Sequence, residues 1–294
     1  RHALPAGPWR RSADPPMPAP AAPAAPCRSP LDYAAIRIAA AMNELERDIL
    51  QRTWFYRFKL PSGAITRSYD DGVLDAIHET RLAMMDGALA AHFPQGLAQV
   101  DALDLACHQG YFSTELARRG CRAVLGLDAR PDHVADCTLM AGALGLPQVR
   151  AVQCDVHAAT AGAHGTHDLV LCFGLIYHLE NPVGALRVAR ALTRPGGLCL
   201  VETQVVPNLS GPVDWGAYRF VKPLKGVFGL IDEADETHGP EASVTGICLA
   251  PSVEGLVWVL SRIGFRDIEV LAPPPDAYEQ HRYGKRVMVK AVAA

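Results

Sequence analysis

Between about Gln99 and Thr203 short apolar runs alternate with amphipathic stretches, and this rhythm constrains the chain more than any other feature. The apolar runs are Gln99–Leu105, Ala123–Leu127, Val149–Cys154, Leu169–Phe173 and Leu198–Thr203, with helical patterns at about 111–119, 131–144, 159–162 and 182–192. Short apolar strands separated by helices indicate a parallel sheet covered on both faces. The rhythm breaks over 205–251, where Gly, Pro and charged residues dominate. It resumes with a helix at Val253–Ile263, a strand at Ile268–Leu271 and a last strand at Arg286–Ala293. The expected fold is α/β: a doubly wound, seven-stranded, mostly parallel sheet of Rossmann-like form.

Three segments are expected. Residues 1–30 carry nine prolines among Ala and Arg and read as a disordered tail. Position 1 is Arg, and Met17 or Met42 are candidate natural starts. Residues 31–98 read as an N-terminal helical cap: helices over 31–53 and 73–92 flank a strand at Trp54–Leu60, which stops at Pro61-Ser62-Gly63. Residues 99–294 hold the sheet, with the 205–251 insert as a lid over the substrate.

Composition excludes several classes of function. A net charge of −3, from 28 basic and 31 acidic residues, gives no global field toward nucleic acid or an anionic membrane. No apolar stretch approaches the roughly 18 residues of a membrane span, and no apolar secretory block opens the chain. Of eight cysteines, Cys107, Cys154, Cys172 and Cys199 lie in or just after strands. They read as small buried hydrophobes in a reducing, cytoplasmic setting. No C-x-x-C pair marks a zinc site, and His157, His164 and His167 lack further ligands at metal spacing, so no metal is expected.

The first strand ends in Asp104-Leu105-Ala106-Cys107-His108-Gln109-Gly110-Tyr111-Phe112-Ser113. A tight strand-to-helix turn places a ligand at the carboxyl edge of the sheet, where open α/β folds bind. The next strand ends at Asp128, 24 residues on, where a carboxylate can accept both ribose hydroxyls of a nucleoside. A dinucleotide site requires G-x-G-x-x-G with a helix N-terminus free for pyrophosphate. Only Gly110 is present here, so a ligand without phosphate suits the turn better.

Leu103–Gly120 resembles the first motif of class I S-adenosylmethionine-dependent methyltransferases, D-x-G-x-G-x-G, with Ala106 and His108 at the first two glycine positions. Four further segments match in order: Gly126-Leu127-Asp128, Gln153-Cys154-Asp155-Val156, Asp168 to Gly174, and Arg194-Pro195-Gly196-Gly197. The resemblance implies S-adenosylmethionine as cofactor. It would be bound by Asp104, Ala106, His108, Gly110, Tyr111, Asp128, Asp155, Val156 and Phe173. Asp104 would contact the ammonium group or merely orient the turn. Asp128 would take the ribose or cap the next helix, and Asp155 would meet the adenine amino group or act as an N-cap.

The candidate catalytic residues are His178, Tyr177 and Glu202. His178 follows the fourth strand and is either a proton acceptor or an orienting group. Tyr177 either roofs the cofactor or packs in the core. Glu202 ends the fifth strand, as a base, as an acceptor contact or as a solvent-facing carboxylate. The Tyr-His-x-x-x-x-Pro pattern is also similar to relatives of the enzymes that carboxymethylate the wobble uridine of tRNA. Tyr177 matches one of their carboxylate-binding residues, but no Trp and Lys pair stands between residues 60 and 90. Methyl transfer to a small, sugar-like or aromatic acceptor is the expected function, and tRNA modification the alternative. The insert carries Trp215, Tyr218, Phe220 and Phe228 with Arg219, Lys222 and Lys225, which suits a ring-bearing substrate or single-stranded nucleic acid. Its acidic run of Asp232, Glu233, Asp235, Glu236 and Glu241 argues against a continuous nucleic-acid face.

Overall fold

The computed structural model describes residues 44–213, 216, 222–233, 243 and 245–294. The expected tail at 1–30, the start of the first helix, and Trp215, Tyr218, Arg219 and Phe220 of the insert lie outside these residues. Helix α1 is described over 44–51. Strand β1 (Thr53–Trp54) pairs in parallel with β2 (Arg67–Ser68), and helix α2 spans Asp75–His92.

The expected strand at Trp54–Leu60 is corrected here. Side chains alternate between buried and less buried from Trp54 to Leu60, but only Thr53–Trp54 pairs in a ladder and Lys59 bridges Ile65. Side chains take the place of a neighbouring strand. Phe55 N donates to Gln109 Oε1 at 2.7 Å, and Phe58 N donates to Thr66 Oγ1 at 2.8 Å. An alternating apolar pattern buries one face whether or not a second strand is available, so the pattern alone overstates pairing.

The remaining elements follow the predicted order. They are β3 (Asp101–Leu105), α3 (Tyr111–Arg118), β4 (Ala123–Asp128), α4 (Pro131–Ala143), β5 (Val149–Gln153), α5 (Ala161–His164), β6 (His167–Phe173), α6 (Pro182–Leu192) and β7 (Thr193–Gln204). Inside the insert, β8 (Gly211–Pro212) pairs with β9 (Pro223–Leu224), and β10 (Phe228–Asp232) forms an antiparallel pair with β11 (Ile247–Pro251). The insert therefore contains paired strands of its own. The chain closes with α7 (Val253–Arg262), β12 (Phe265–Val270), α8 (Glu279–Arg282) and β13 (Arg286–Ala293).

The seven-stranded sheet runs β12-β13-β7-β6-β3-β4-β5. Strands β3 to β7 pair in parallel, and β13 is antiparallel to both of its neighbours. This is the doubly wound order with one reversed strand near an edge. One apolar layer joins Trp54, Phe58 and Met85 of the cap to Leu116, Leu169 and Leu171; the other places Leu186, Ala189 and Leu260 against Val170 and Val201. Fully burying side chains such as Trp54 and Phe58 contributes about 1.5–3 kcal/mol each. The cap is thus welded to one face of the sheet by apolar contact. The strand order switches at β3 and β6, which opens a crevice at their carboxyl ends.

Candidate functional site

That crevice is a cavity of about 570 Å3, within the usual range for small-molecule sites. Its floor is the turn after β3. Cys107 N donates to Leu127 O, Gly110 N donates to Cys107 O, and both Ala106 (φ 58°) and His108 (φ 51°) are left-handed. The chain therefore keeps glycine-like backbone angles where the glycines themselves are replaced. Gly110 is left-handed as well (φ 82°), and a Cβ there would meet Cys137 Sγ of α4 at 2.3 Å. No other residue fits that position.

Asp128 lies at the end of β4 and on the cavity wall. Its Oδ2 accepts His108 N at 2.9 Å; its Oδ1 accepts Arg130 N at 2.9 Å and faces His133 Nδ1 at 3.2 Å. Burial pushes its carboxyl up, but these hydrogen bonds and His133 outweigh it and hold it below the usual range. The carboxylate both pins the left-handed turn and presents charge to the cavity. Ala106, His108, Asp155, Val156 and Phe173 line the same space. Asp155 also caps a 3-10 turn by accepting His157 N at 2.7 Å, as its N-cap reading expects.

Three expected cofactor residues are placed differently. Asp104 is buried under the turn, where its Oδ2 accepts Ser113 Oγ at 2.7 Å, and burial pushes its carboxyl up to about 7. Gly110 serves the close approach of α4. Tyr111 stacks on Tyr56 at 4.7 Å between centroids, in the cap interface. None of the three is on the cavity wall. The wall facing the turn comes instead from the cap: Phe55, Tyr56, Tyr69, His78 and Arg81. His78 is 3% exposed and neither ring nitrogen has a hydrogen-bond partner among the described residues, and burial holds it well below its ordinary pKa. The alternation at 54–60 hinted at buried aromatics, but which of them reach a cavity is set by the packing of α2.

Glu202 departs from each of its sequence readings. It is fully buried, away from solvent and off the cavity wall. Its carboxylate accepts Arg81 Nη2 at 2.8 Å and Arg286 Nε at 2.7 Å, with His281 Nε2 at 3.2 Å. Burial opposes its charge, yet the two guanidiniums hold it well below the usual carboxylate range. A carboxylate so held is a poor base, and its place is to anchor two arginines that do line the cavity. Gly174 makes room for one of them, since a Cβ there would lie 3.2 Å from an Arg81 guanidinium nitrogen.

Tyr177 and His178 sit in a 3-10 turn after β6, and both line the cavity. The Tyr177 hydroxyl accepts Arg286 Nη2 at 2.9 Å, and the guanidinium carbon lies 4.9 Å from the ring centroid. His178 Nδ1 lies 2.6 Å from Glu233 Oε2. Arg81 and Arg286 went unread in the sequence, and Glu233 was read only within an acidic run, because each acts through a contact between distant segments. Among the described residues, no group of three or more His, Cys, Asp or Glu is arranged to hold a metal.

Residues 102–197 match the family model described as a methyltransferase domain. This central part of the chain is what resembles a methyltransferase domain. The chain is 25% identical over 194 residues to a tRNA U34 carboxymethyltransferase of Desulfotalea psychrophila, covering 66% of this chain and 53% of that protein. It is 31% identical over 137 residues to a ubiquinone biosynthesis O-methyltransferase of Methylobacterium sp., covering 45% and 54%. The chain spans about half the length of these curated relatives. The N-terminal domain of EvdMO1, solved with SAH bound, superposes on this chain with a TM-score of 0.59 at 22% identity. That match covers 88% of this chain and 97% of the other, and shows a shared fold.

Proposed function

We propose that this chain transfers the methyl group of S-adenosylmethionine to a small-molecule acceptor. The observation that carries the reading is the cavity after β3, where a left-handed turn is pinned by the Asp128 carboxylate at a wall of aromatic rings. These residues suit the cofactor. Asp128 would accept the ribose hydroxyls, Asp155 and Val156 would meet the adenine, and Ala106, His108 and Phe173 would flank the amino-acid portion. Asp104 would act through Ser113 and the turn. When bound, the cofactor supplies a methyl group already activated on a sulfonium. Phe55, Tyr56 and His78 would pack on that cation and exclude water, and an acceptor would enter beside Tyr177 and His178. The relatives' names support the same chemistry, since both transfer one-carbon or carboxymethyl groups.

A second reading, carboxymethyl transfer to tRNA, draws on one specific observation. Arg81 and Arg286 are two buried guanidiniums that meet a single carboxylate, Glu202, and both line the cavity with Tyr177. The surplus positive charge there suits an anionic group on cofactor or acceptor. Calorimetry with S-adenosylmethionine, S-adenosylhomocysteine and NAD tests the first reading: binding of the first two is expected, and binding of NAD alone would overturn it. Mass spectrometry of the co-purified cofactor separates the readings, because only the second expects an additional carboxylate.

A further inference from the structure

We infer that Glu233 is a positioning residue for His178, and that the pair forms a proton-accepting dyad whose acceptor is a hydroxyl or an ammonium group. This rests on the methyl-transfer reading and adds to it the class of acceptor and a role for the insert. Glu233 follows β10 directly, in the part of the sequence that reads only as an acidic run. The structure buries it to 2% exposure and brings three donors onto its Oε2: His178 Nδ1 at 2.6 Å, Ser243 N at 2.9 Å and Cys248 Sγ at 3.1 Å. Burial opposes the charge on Glu233, but these donors outweigh it and keep the carboxyl below its ordinary value, so it is an anion at neutral pH. Burial pushes the Cys248 thiol up to about 12, so Cys248 stays a neutral donor. Of the three donors, His178 alone can become a cation.

The consequence for the imidazole is direct. A carboxylate on Nδ1 requires the proton to sit there, which makes Nε2 the nitrogen with the lone pair. The same carboxylate stabilises the imidazolium that forms when Nε2 takes a proton. His178 lines the cavity, and its ring lies 4.1 Å from that of Tyr177. A hydroxyl would lose its proton to Nε2 as its oxygen bonds to the methyl carbon, whereas an ammonium group would give its proton to Nε2 first and attack with the lone pair so freed. The electrons of the breaking carbon–sulfur bond would pass to sulfur, leaving a neutral thioether. A thiolate has no such proton to lose and would leave the dyad without a task. The dyad exists only where the insert meets the core: β11 is docked on the turn, with Leu249 N donating to Leu179 O at 3.1 Å. Among the described residues, the other charged and titratable groups near the pair include Tyr177, Arg286 behind it, Cys248 on β11, and Glu180, which acts electrostatically on Cys248.

The test is nitrogen NMR of the full chain with 15N-labelled histidine in the presence of S-adenosylhomocysteine, with His178→Gln to assign the ring. The wild type is expected to show the Nδ1–H tautomer. Glu233→Gln is expected to lower the titration midpoint of His178 by about one unit or more, because a neutral amide replaces the anion. An Nε2–H ring in the wild type, or an unmoved midpoint in folded Glu233→Gln, overturns the dyad. Should Glu233→Gln fail to fold by circular dichroism, the wild-type tautomer together with Glu233→Asp, expected to shift the midpoint less, decides the matter. Absence of S-adenosylhomocysteine binding by the wild type overturns the methyl-transfer reading. Bound S-adenosylhomocysteine beside an Nε2–H ring overturns the dyad alone.

Discussion

Replacing Glu202 by Gln separates an anchoring carboxylate from a reacting one. The carboxylate is wholly buried and meets two guanidiniums at 2.7 and 2.8 Å, with His281 Nε2 at 3.2 Å. Removing its charge leaves Arg81 and Arg286 facing one another in a low-dielectric wall. Breaking a buried ion pair in this way costs about 3–5 kcal/mol. At about 2–4 °C per kcal/mol for a domain of this size, the melting temperature is expected to fall by roughly 6–20 °C. The pH dependence has a definite sign. The folded pKa of Glu202 is depressed, so its stabilisation is complete above the unfolded value of about 4.3 and is lost as pH falls toward the folded value. The gap between wild type and variant should therefore be full at pH 7 and should narrow in acid. Thermal unfolding followed by circular dichroism at pH 4 and pH 7 measures both. A melting temperature unchanged at pH 7, together with lost turnover, would refute the anchoring role and return Glu202 to the chemistry.

Three further outcomes are expected. Asp128→Ala should weaken S-adenosylhomocysteine binding by about 1.5–3 kcal/mol, read by calorimetry; an unchanged dissociation constant would remove Asp128 from the site. Asp104→Asn should stabilise the protein above pH 7 by up to about 4 kcal/mol, since burial lifts the folded carboxyl to about 7 and each unit is worth about 1.4 kcal/mol. The sign follows from the raised value: the wild type has its full stability below about pH 4 and loses it as pH rises to 7, so in urea unfolding the gain should vanish near pH 4, and an equal gain at both ends would contradict the burial argument. Ala106→Gly should stabilise by about 1 kcal/mol by relieving a left-handed alanine, and a loss of stability would show that the methyl group packs favourably.

The sheet was legible because its strands are buried on both faces and its helices carry a clear apolar stripe, so local pattern and global position agree. Asp128 was legible for a related reason: strand-end spacing places it at the crevice without any knowledge of packing. Where the pattern and the fold part company, the cause is tertiary. The Trp54–Leu60 stretch pairs with 64–69 only in fragments, and the side chains of Gln109 and Thr66 take some of its backbone amides. Asp104, Gly110 and Tyr111 belong to the right motif, but it uses them beneath the turn or in the cap interface. Arg81, Glu202, His281 and Arg286 form one cluster from three distant segments, and nothing in any single segment announces it. Glu233 shows how an acidic stretch, read as surface, can supply one buried member.

The cavity is closed at its two ends by different kinds of bond, and they will not open together. One wall depends on the Arg81–Glu202–Arg286 cluster, which ties a cap helix to two neighbouring strands of the central sheet. Separating it means dismantling the core, so backbone amides there should exchange with solvent only as fast as the whole domain unfolds. The other wall includes the 176–179 turn, which is joined from behind to the β10–β11 pair through Leu249 N and the Glu233–His178 bond. That seam can part while the sheet stays whole. Traffic through the site would then be one-sided, with small molecules passing at the insert and the arginine wall standing fixed through each cycle.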